Sequence, residues 1–318
     1  MKVQNMPTLP IHDLIIVGGG PGGLTAGIYA QRAALDTLLI EKGLPGGQLN
    51  NTDTVENWPG TESIKGADLA MAMTAHAKGC GLEILASEVV EIEPGLNAHT
   101  IRLDNGEELH GLAVILACGG HPRQLGVPGE KENYGKGVSY CAVCDGFFFR
   151  NKRVIVVGGG DTALEEALFL AKIAASIHLV HRRDAFRGGM ILQKRVLAEP
   201  KIQVIWDSVV TDITSDDAGV TGVGLKNVKT GETKNLGAEG VFIFIGFEPN
   251  NRLVPAGVKM NTEGFVVTNK KCETSLPGIY AIGDLREKYI KQIVTAAAEG
   301  CIAAQAVAHF AEEQKAKA

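Results

Sequence analysis

The stretch LIIVGGGPGGLTAGIYAQRAALDTLLIEK, residues Leu14–Lys42, decides how the chain folds. A short apolar run meets three consecutive glycines, an amphipathic stretch follows, and a second apolar run ends at Glu41. This predicts a strand, a tight turn, a helix and a second strand, half of a βαβ unit. Gly18-x-Gly20-x-x-Gly23 falls at the turn. The first glycine permits the turn, the second lets backbone approach a pyrophosphate, and the third allows close helix–strand packing. The helix then points its free N–H groups at the phosphates.

The pattern recurs at a constant offset in VIVVGGGDTALEEALFLAKIAASIHLVHR, Val154–Arg182. Gly158-x-Gly160-x-x-Ala163 replaces the first loop, and His181 stands where the first copy has Glu41. Two matches in the same strand–turn–helix context predict two nucleotide-binding units. The strand ends separate their ligands. A carboxylate at Glu41 accepts hydrogen bonds from ribose hydroxyls, as in FAD or NAD. The second copy lacks the acid and offers Arg182, Arg183 and Arg187, whose guanidinium forks pair with a 2′-phosphate, as in NADP.

A chain of 318 residues has room for two domains. It is 45% hydrophobic and 21% charged, and its net charge of −5 offers no basic face for nucleic acid. The opening MKVQNMPTLPIHD lacks the apolar core of a signal peptide. The Ala-rich IVTAAAEGCIAAQAVAHF is broken by Glu299, Gln305 and His309, so it is expected as a buried helix rather than a membrane span. Two strand-then-turn passages, AVILACGGHPRQLGVPGE and GVFIFIGFEPNNRLVP, are the expected crossings between domains. They give a first domain of residues 1–118 and 247–318, and an inserted one of residues 119–246. In LPGIYAIGDL, Asp284 ends a strand, where it can take a hydrogen bond from a flavin ribityl or pyrophosphate group or simply cap a helix.

Six cysteines include one close pair, Cys141 and Cys144, in SYCAVCDG. A zinc clip needs two further ligands at suitable spacing, and none occurs among the dispersed histidines, so no metal is expected. A staple across so short a loop constrains little chain entropy. A redox couple fits best, with Asp145 as the proton donor or acceptor that exchange requires.

Together, the early fingerprint, the second nucleotide unit opened by Cys-Ala-Val-Cys-Asp-Gly, HRRDAFR, PGGQL, VENWPG and the late Gly-Asp resemble bacterial low-molecular-weight thioredoxin reductase over nearly the whole chain. The resemblance implies two Rossmann-like three-layer α/β domains, the NADPH domain inserted into the FAD domain. It implies electron flow from NADPH through FAD to Cys141–Cys144 and on to thioredoxin or a thioredoxin-like protein, in a cytoplasmic homodimer without nucleic-acid or membrane partners. It assigns Gly18, Gly20, Pro21, Gly23, Glu41, Lys42, Gly47, Gln48, Asn57, Val89, Asp284, Gln292 and Ile293 to FAD. It assigns Gly158, Gly160, Asp161, Thr162, Ala163, His181, Arg182, Arg183 and Arg187 to NADP. It implies that Cys144 faces the flavin, that Cys141 exchanges with the partner and that Asp145 is the acid–base group. The chain departs from the family at Cys118, where Thr is usual, and at Lys291, where Arg is more frequent. A flavin-binding redox sensor with little turnover is the alternative from another class.

Overall fold

A computed structural model describes residues 10–52 and 54–316. The chain divides into two compact units, one running up to His121 and resuming at Glu248, the other Pro122–Phe247. The first crossing thus lies three residues beyond the sequence reading and the second lies one beyond. Asn250 N–H and its side-chain amide bond the carbonyls of Gly119 (3.0 Å) and Cys118 (2.8 Å), within the first unit.

In chain order the first unit forms β1 (Ile11–Val17), α1 (Pro21–Arg32), β2 (Thr37–Glu41), α2 (Gly66–Gly79), β3 (Glu83–Ala86), β4 (Val89–Glu93), β5 (His99–Leu103) and β6 (Glu108–Leu116). The second forms β7 (Val138–Ser139), α3 (Ala142–Asp145), β8 (Arg153–Gly158), α4 (Asp161–Ala171), β9 (Ser176–Val180), α5 (Met190–Ala198), β10 (Ile202–Ile205), β11 (Ser208–Asp216), β12 (Gly219–Asn227), β13 (Thr233–Gly237) and β14 (Gly240–Phe244). The chain then returns for β15 (Ile279–Ala281) and α6 (Ile293–Lys315).

In the first unit, β3, β2, β1 and β6 lie parallel in that order, and β15 pairs parallel with the end of β6. β5 and β4 extend the sheet antiparallel. Strand alternation builds the layers. Leu14 and Ile16 pack with α1, α2 and α6, while Ile15 and Val17 pack on the opposite side with Val89, Ile92, Val258 and Val266. α6 is long and apolar enough to cross a membrane. Its Ala296, Gly300, Ala303, Ala304 and Val307 are buried, and a Cβ at Gly300 would collide with the Gly22 carbonyl on α1. Glycine lets these two helices approach, so this face of α6 packs as a core helix.

In the second unit, β7, β14, β8, β9 and β10 form a parallel sheet in that order. Val154 and Val156 face α4, and Ile155 and Val157 face the antiparallel sheet of β11, β12 and β13. Both units are therefore three-layer α/β folds of Rossmann type.

Glu130 is 1% exposed. Its carboxylate accepts N–H groups from Leu125 (2.8 Å), Gly126 (2.7 Å) and Val127 (3.4 Å) and the Tyr140 hydroxyl (2.8 Å). Buried donors left without an acceptor are costly, so Glu130→Ala is expected to destabilise the second unit by about 2–4 kcal/mol. Urea unfolding checks this, and an unchanged midpoint would show that water replaces the carboxylate.

Candidate active site: two nucleotide loops and a redox pair

The first loop is built by steric necessity. Gly18 has φ +109°, and a Cβ there would lie 2.5 Å from the Ala117 carbonyl oxygen. A Cβ at Gly23 would collide with the Gly18 oxygen, whereas one at Gly20 would meet nothing within 4 Å. The middle glycine thus faces open space at the start of α1, where Pro21 occupies the first turn and no acid stands. Gly46 donates to the Gly19 carbonyl (2.7 Å), and Gly47 (φ +56°) comes so close that its Cβ would lie 3.1 Å from Gly20 Cα. The PGGQL turn therefore folds over the loop.

Glu41 ends β2 beside it. Its two carboxylate oxygens accept N–H groups from Gly19 (2.6 Å) and Gly43 (2.9 Å). Glu41 thus braces the loop, and each oxygen keeps a further lone pair for a ribose hydroxyl. Ser87 donates to the Glu41 carbonyl (3.2 Å), which brings buried Val89 and Glu88 alongside, and Lys42 lies 3.7 Å from Glu88. The Gln48 amide donates to Gly120 O (2.6 Å).

The returning chain ends at the same sheet edge. Ile282 N–H bonds Leu116 O (3.0 Å), so Asp284 emerges beside the Gly18 loop at the carboxyl end of the parallel strands. Ligands of such sheets bind at that end. Asp284 Oδ1 is buried 3.4 Å from the Lys288 ammonium, and burial raises its carboxyl above the ordinary range while Lys288 acts against the rise. Gln292 caps α6 through a reciprocal box with Thr295, and Ile293 opens the helix. Asn57, distant in sequence, donates to the Gln292 side chain (3.1 Å). The open cradle at Gly20 and the Asp284 carboxylate at the same sheet edge fit a dinucleotide laid along it.

In the second loop, Gly158 and Ala163 exchange roles with the glycines of the first. A Cβ at Gly158 would lie 2.6 Å from the Ala163 methyl, which fills the space a third glycine leaves empty. A Cβ at Gly160 again meets nothing. Arg187 N–H and Gly188 N–H bond Gly159 O (2.8 and 3.2 Å), and Gly189 N–H bonds Asp161 Oδ1 (2.6 Å). The arginine turn is thereby folded against the loop, next to exposed Thr162. Arg182, Arg183 and Arg187 are exposed, and their side chains make no hydrogen bond or ion pair among the described residues. His181 differs from them. Its ring is buried against Phe186 and Trp206, and Nε2 donates to Ala185 O (3.1 Å). Burial, with Arg183 and Arg187 nearby, lowers its proton affinity. His181 shapes the turn as a neutral ring.

Cys141 and Cys144 form a disulfide, their Cα atoms 5.3 Å apart. Cys141 caps α3, its sulfur accepting Cys144 N–H at 3.2 Å. Ser139, at the end of β7, donates to Asp145 Oδ2 (2.5 Å) and accepts Cys141 N–H (3.0 Å). Burial raises the Asp145 carboxyl, and the Ser139 bond opposes the rise. Around the pair, Val143, Phe147 and Phe148 are exposed, and Arg150 stacks 5.0 Å from the Phe147 ring. Cys118 contrasts with the pair: burial pushes its thiol up to about 12, and it donates to Val17 O at 3.7 Å. Among the described residues, no group of three or more His, Cys, Asp or Glu side chains could hold a metal ion.

Sequence reasoning overlooked Ser139, Glu130 and Tyr140 around the pair, and Lys288 and Glu299 behind Asp284. Ser139 alone had a signal, as a hydroxyl beside Tyr140-Cys141 where the β7 strand must end.

The pyridine nucleotide-disulphide oxidoreductase family matches residues 12–300. A thioredoxin reductase of Bacillus subtilis strain 168 is 45% identical over 95% of this chain and 96% of its own length. One from Listeria monocytogenes is 44% identical over 96% of this chain and 95% of its own. Among solved structures, thioredoxin reductase from Streptococcus pyogenes MGAS5005 superposes with a TM-score of 0.92 at 43% identity, covering 96% of this chain and all of the other.

Proposed function

The chain belongs to the pyridine nucleotide-disulphide oxidoreductase family, and from that premise we infer that it is an NADPH-dependent, FAD-containing thioredoxin-disulfide reductase. One observation carries the reading. The Cys141–Cys144 disulfide and its half-buried acid share a unit with a nucleotide loop flanked by three unpaired arginines. The first unit supplies the second nucleotide site, with Gly18, Gly20, Gly23, Glu41 and Asp284 along one sheet edge. When bound, NADPH and FAD supply hydride chemistry that delivers two electrons to a disulfide.

The residues then act in sequence. Once the pair is reduced, the Cys141 thiolate attacks a sulfur of the partner disulfide. A mixed disulfide forms and one partner thiolate leaves. The Cys144 thiolate attacks Cys141 sulfur, re-forming the internal bond and releasing the second partner thiolate. Asp145, held by Ser139, supplies and takes the proton. Exposed Val143, Phe147 and Phe148 offer apolar contact to a thioredoxin or thioredoxin-like protein beside the disulfide. The protein acts in the cytoplasm as a homodimer, a reading that its four free cysteines support for the compartment.

The test is NADPH-driven reduction of thioredoxin, followed by free thiol release, with NADH as comparison. Replacing Arg182 and Arg183 by Ala is expected to raise KM for NADPH about tenfold or more, since the charge-assisted bonds to the 2′-phosphate are lost. NADH use should change little. Equal losses with both nucleotides would show that the arginines do not read the phosphate, and absence of thiol release would overturn the activity.

A further inference from the structure

Buried charges line up behind Asp284. Glu299 on α6 accepts Gly283 N–H at 2.7 Å. Arg286 lies 3.2 Å from one Glu299 oxygen and Lys288 lies 3.4 Å from the other. Lys288 reaches the opposite way to Asp284 Oδ1, also at 3.4 Å. The Lys288 side chain is 9% exposed and that of Glu299 12%. Taking such charges out of water is unfavourable, and apolar side chains of similar size often stabilise a fold as well or better. Packing alone therefore gives little reason for a lysine here. Its ammonium is shared between a carboxylate that braces the Gly283 turn and one that lies at the sheet edge.

We propose that Lys288 is a positioning residue for the flavin site: it holds the Asp284 carboxylate charged and aimed, and Glu299 sets how much of the ammonium's field Asp284 receives. The proposal rests on the FAD reading above. An ionised carboxylate accepts a ligand hydroxyl roughly twice as strongly as a neutral one. The charged groups facing Asp284 are Lys288 and Lys291, the latter over the Phe265 ring at 4.4 Å. Glu299 and Arg286 stand behind Lys288. Burial raises the Asp284 carboxyl, and both lysines oppose that rise.

The signs follow. FAD affinity falls as pH is lowered and Asp284 takes up a proton. Lys288→Met removes the opposing charge, so the fall begins at higher pH. Glu299→Gln releases Lys288 to Asp284, so the fall begins at lower pH, while the amide oxygen still accepts Gly283 N–H. A merely structural role would weaken binding evenly across pH, in the same direction for both variants.

The experiment strips FAD from the full-length protein and measures its Kd by flavin fluorescence quenching from alkaline to mildly acidic pH. Lys288→Met is expected to bind about tenfold more weakly at the acid end, ~1.4 kcal/mol, and to approach the parent at the alkaline end. Glu299→Gln is expected to bind tighter than the parent in acid, and Lys288→Arg to restore the parent curve. Curves parallel to the parent, or both variants shifted the same way, would overturn the role of Lys288. If Lys288→Met does not fold, the Glu299→Gln shift decides alone: present it supports the proposal, absent it overturns it. A parent chain that takes up no FAD overturns the FAD reading and this proposal with it, whereas FAD-binding variants with unshifted curves overturn only the proposal.

Discussion

Cys141→Ser and Cys144→Ser are each expected to abolish thioredoxin reduction by at least about a thousandfold, ~4 kcal/mol at 1.36 kcal/mol per decade, while NADPH still bleaches the flavin colour. Either serine leaves one sulfur, and a single thiol cannot both attack the partner and release it by closing a ring. The two thiols of the reduced protein should also differ. Cys141 sulfur accepts the Cys144 N–H at 3.2 Å. A hydrogen bond to a sulfur stabilises the charge it carries as a nucleophile. Alkylation of the NADPH-reduced protein at limiting reagent should therefore label Cys141 first, as read by peptide mass spectrometry. Labelling of Cys144 first would reverse the assigned roles. Retention of thioredoxin reduction in either serine variant would remove the pair from the mechanism.

Asp145→Asn should lower kcat for thioredoxin reduction about a hundredfold, within the 10²–10⁴ range of a positioned general acid–base group. The asparagine keeps the shape and an oxygen for the Ser139 hydroxyl but holds no proton to give. Burial raises the Asp145 carboxyl, and in the proposed mechanism its protonated form donates to the departing thiolate. The parent rate should therefore decline as pH rises through that raised value, and the variant should lack this limb. Ser139→Ala removes the bond that opposes the rise, so its limb should move to higher pH. A pH profile for Asp145→Asn that matches the parent in shape would assign the limb to another group.

The two loops were legible because glycine spacing records backbone sterics. A Cβ at Gly23 would collide inside its own turn, and one at Gly18 or Gly158 also with the adjoining strand end, so the spacing recurs wherever such a loop leaves a parallel sheet. The arginine turn was legible for a similar reason, since it follows β9 directly. The antiparallel sheet β11–β13 went unforeseen, because alternating strands in the inserted segment carry no nucleotide signature. The support of the site was hidden for a different reason. Glu299 meets Gly283 and Lys288 across a turn, and Glu130 meets Tyr140 across a loop, so the partners are chosen by packing rather than spacing. His181 shows the limit of reading position alone. It occupies the place of an acid that meets ribose, yet its ring turns inward against Phe186 and Trp206.

The pairing of β15 with β6, and of α6 with α1, has a consequence for how the chain is made. Ile279–Ala281 completes a sheet begun before Leu116, and Gly300 seats against Gly22. Ribosomes add about 5–20 residues per second, so roughly 8–33 s separate the emergence of β6 from that of β15. Throughout that interval the first sheet lacks a strand and its largest helix, and the nascent chain exposes an open strand edge and bare apolar faces. The inserted stretch Pro122–Phe247 is continuous and can finish first. Translation therefore completes the later-starting unit before the earlier one, and the half-built first sheet is the nascent species with the most apolar surface left to cover.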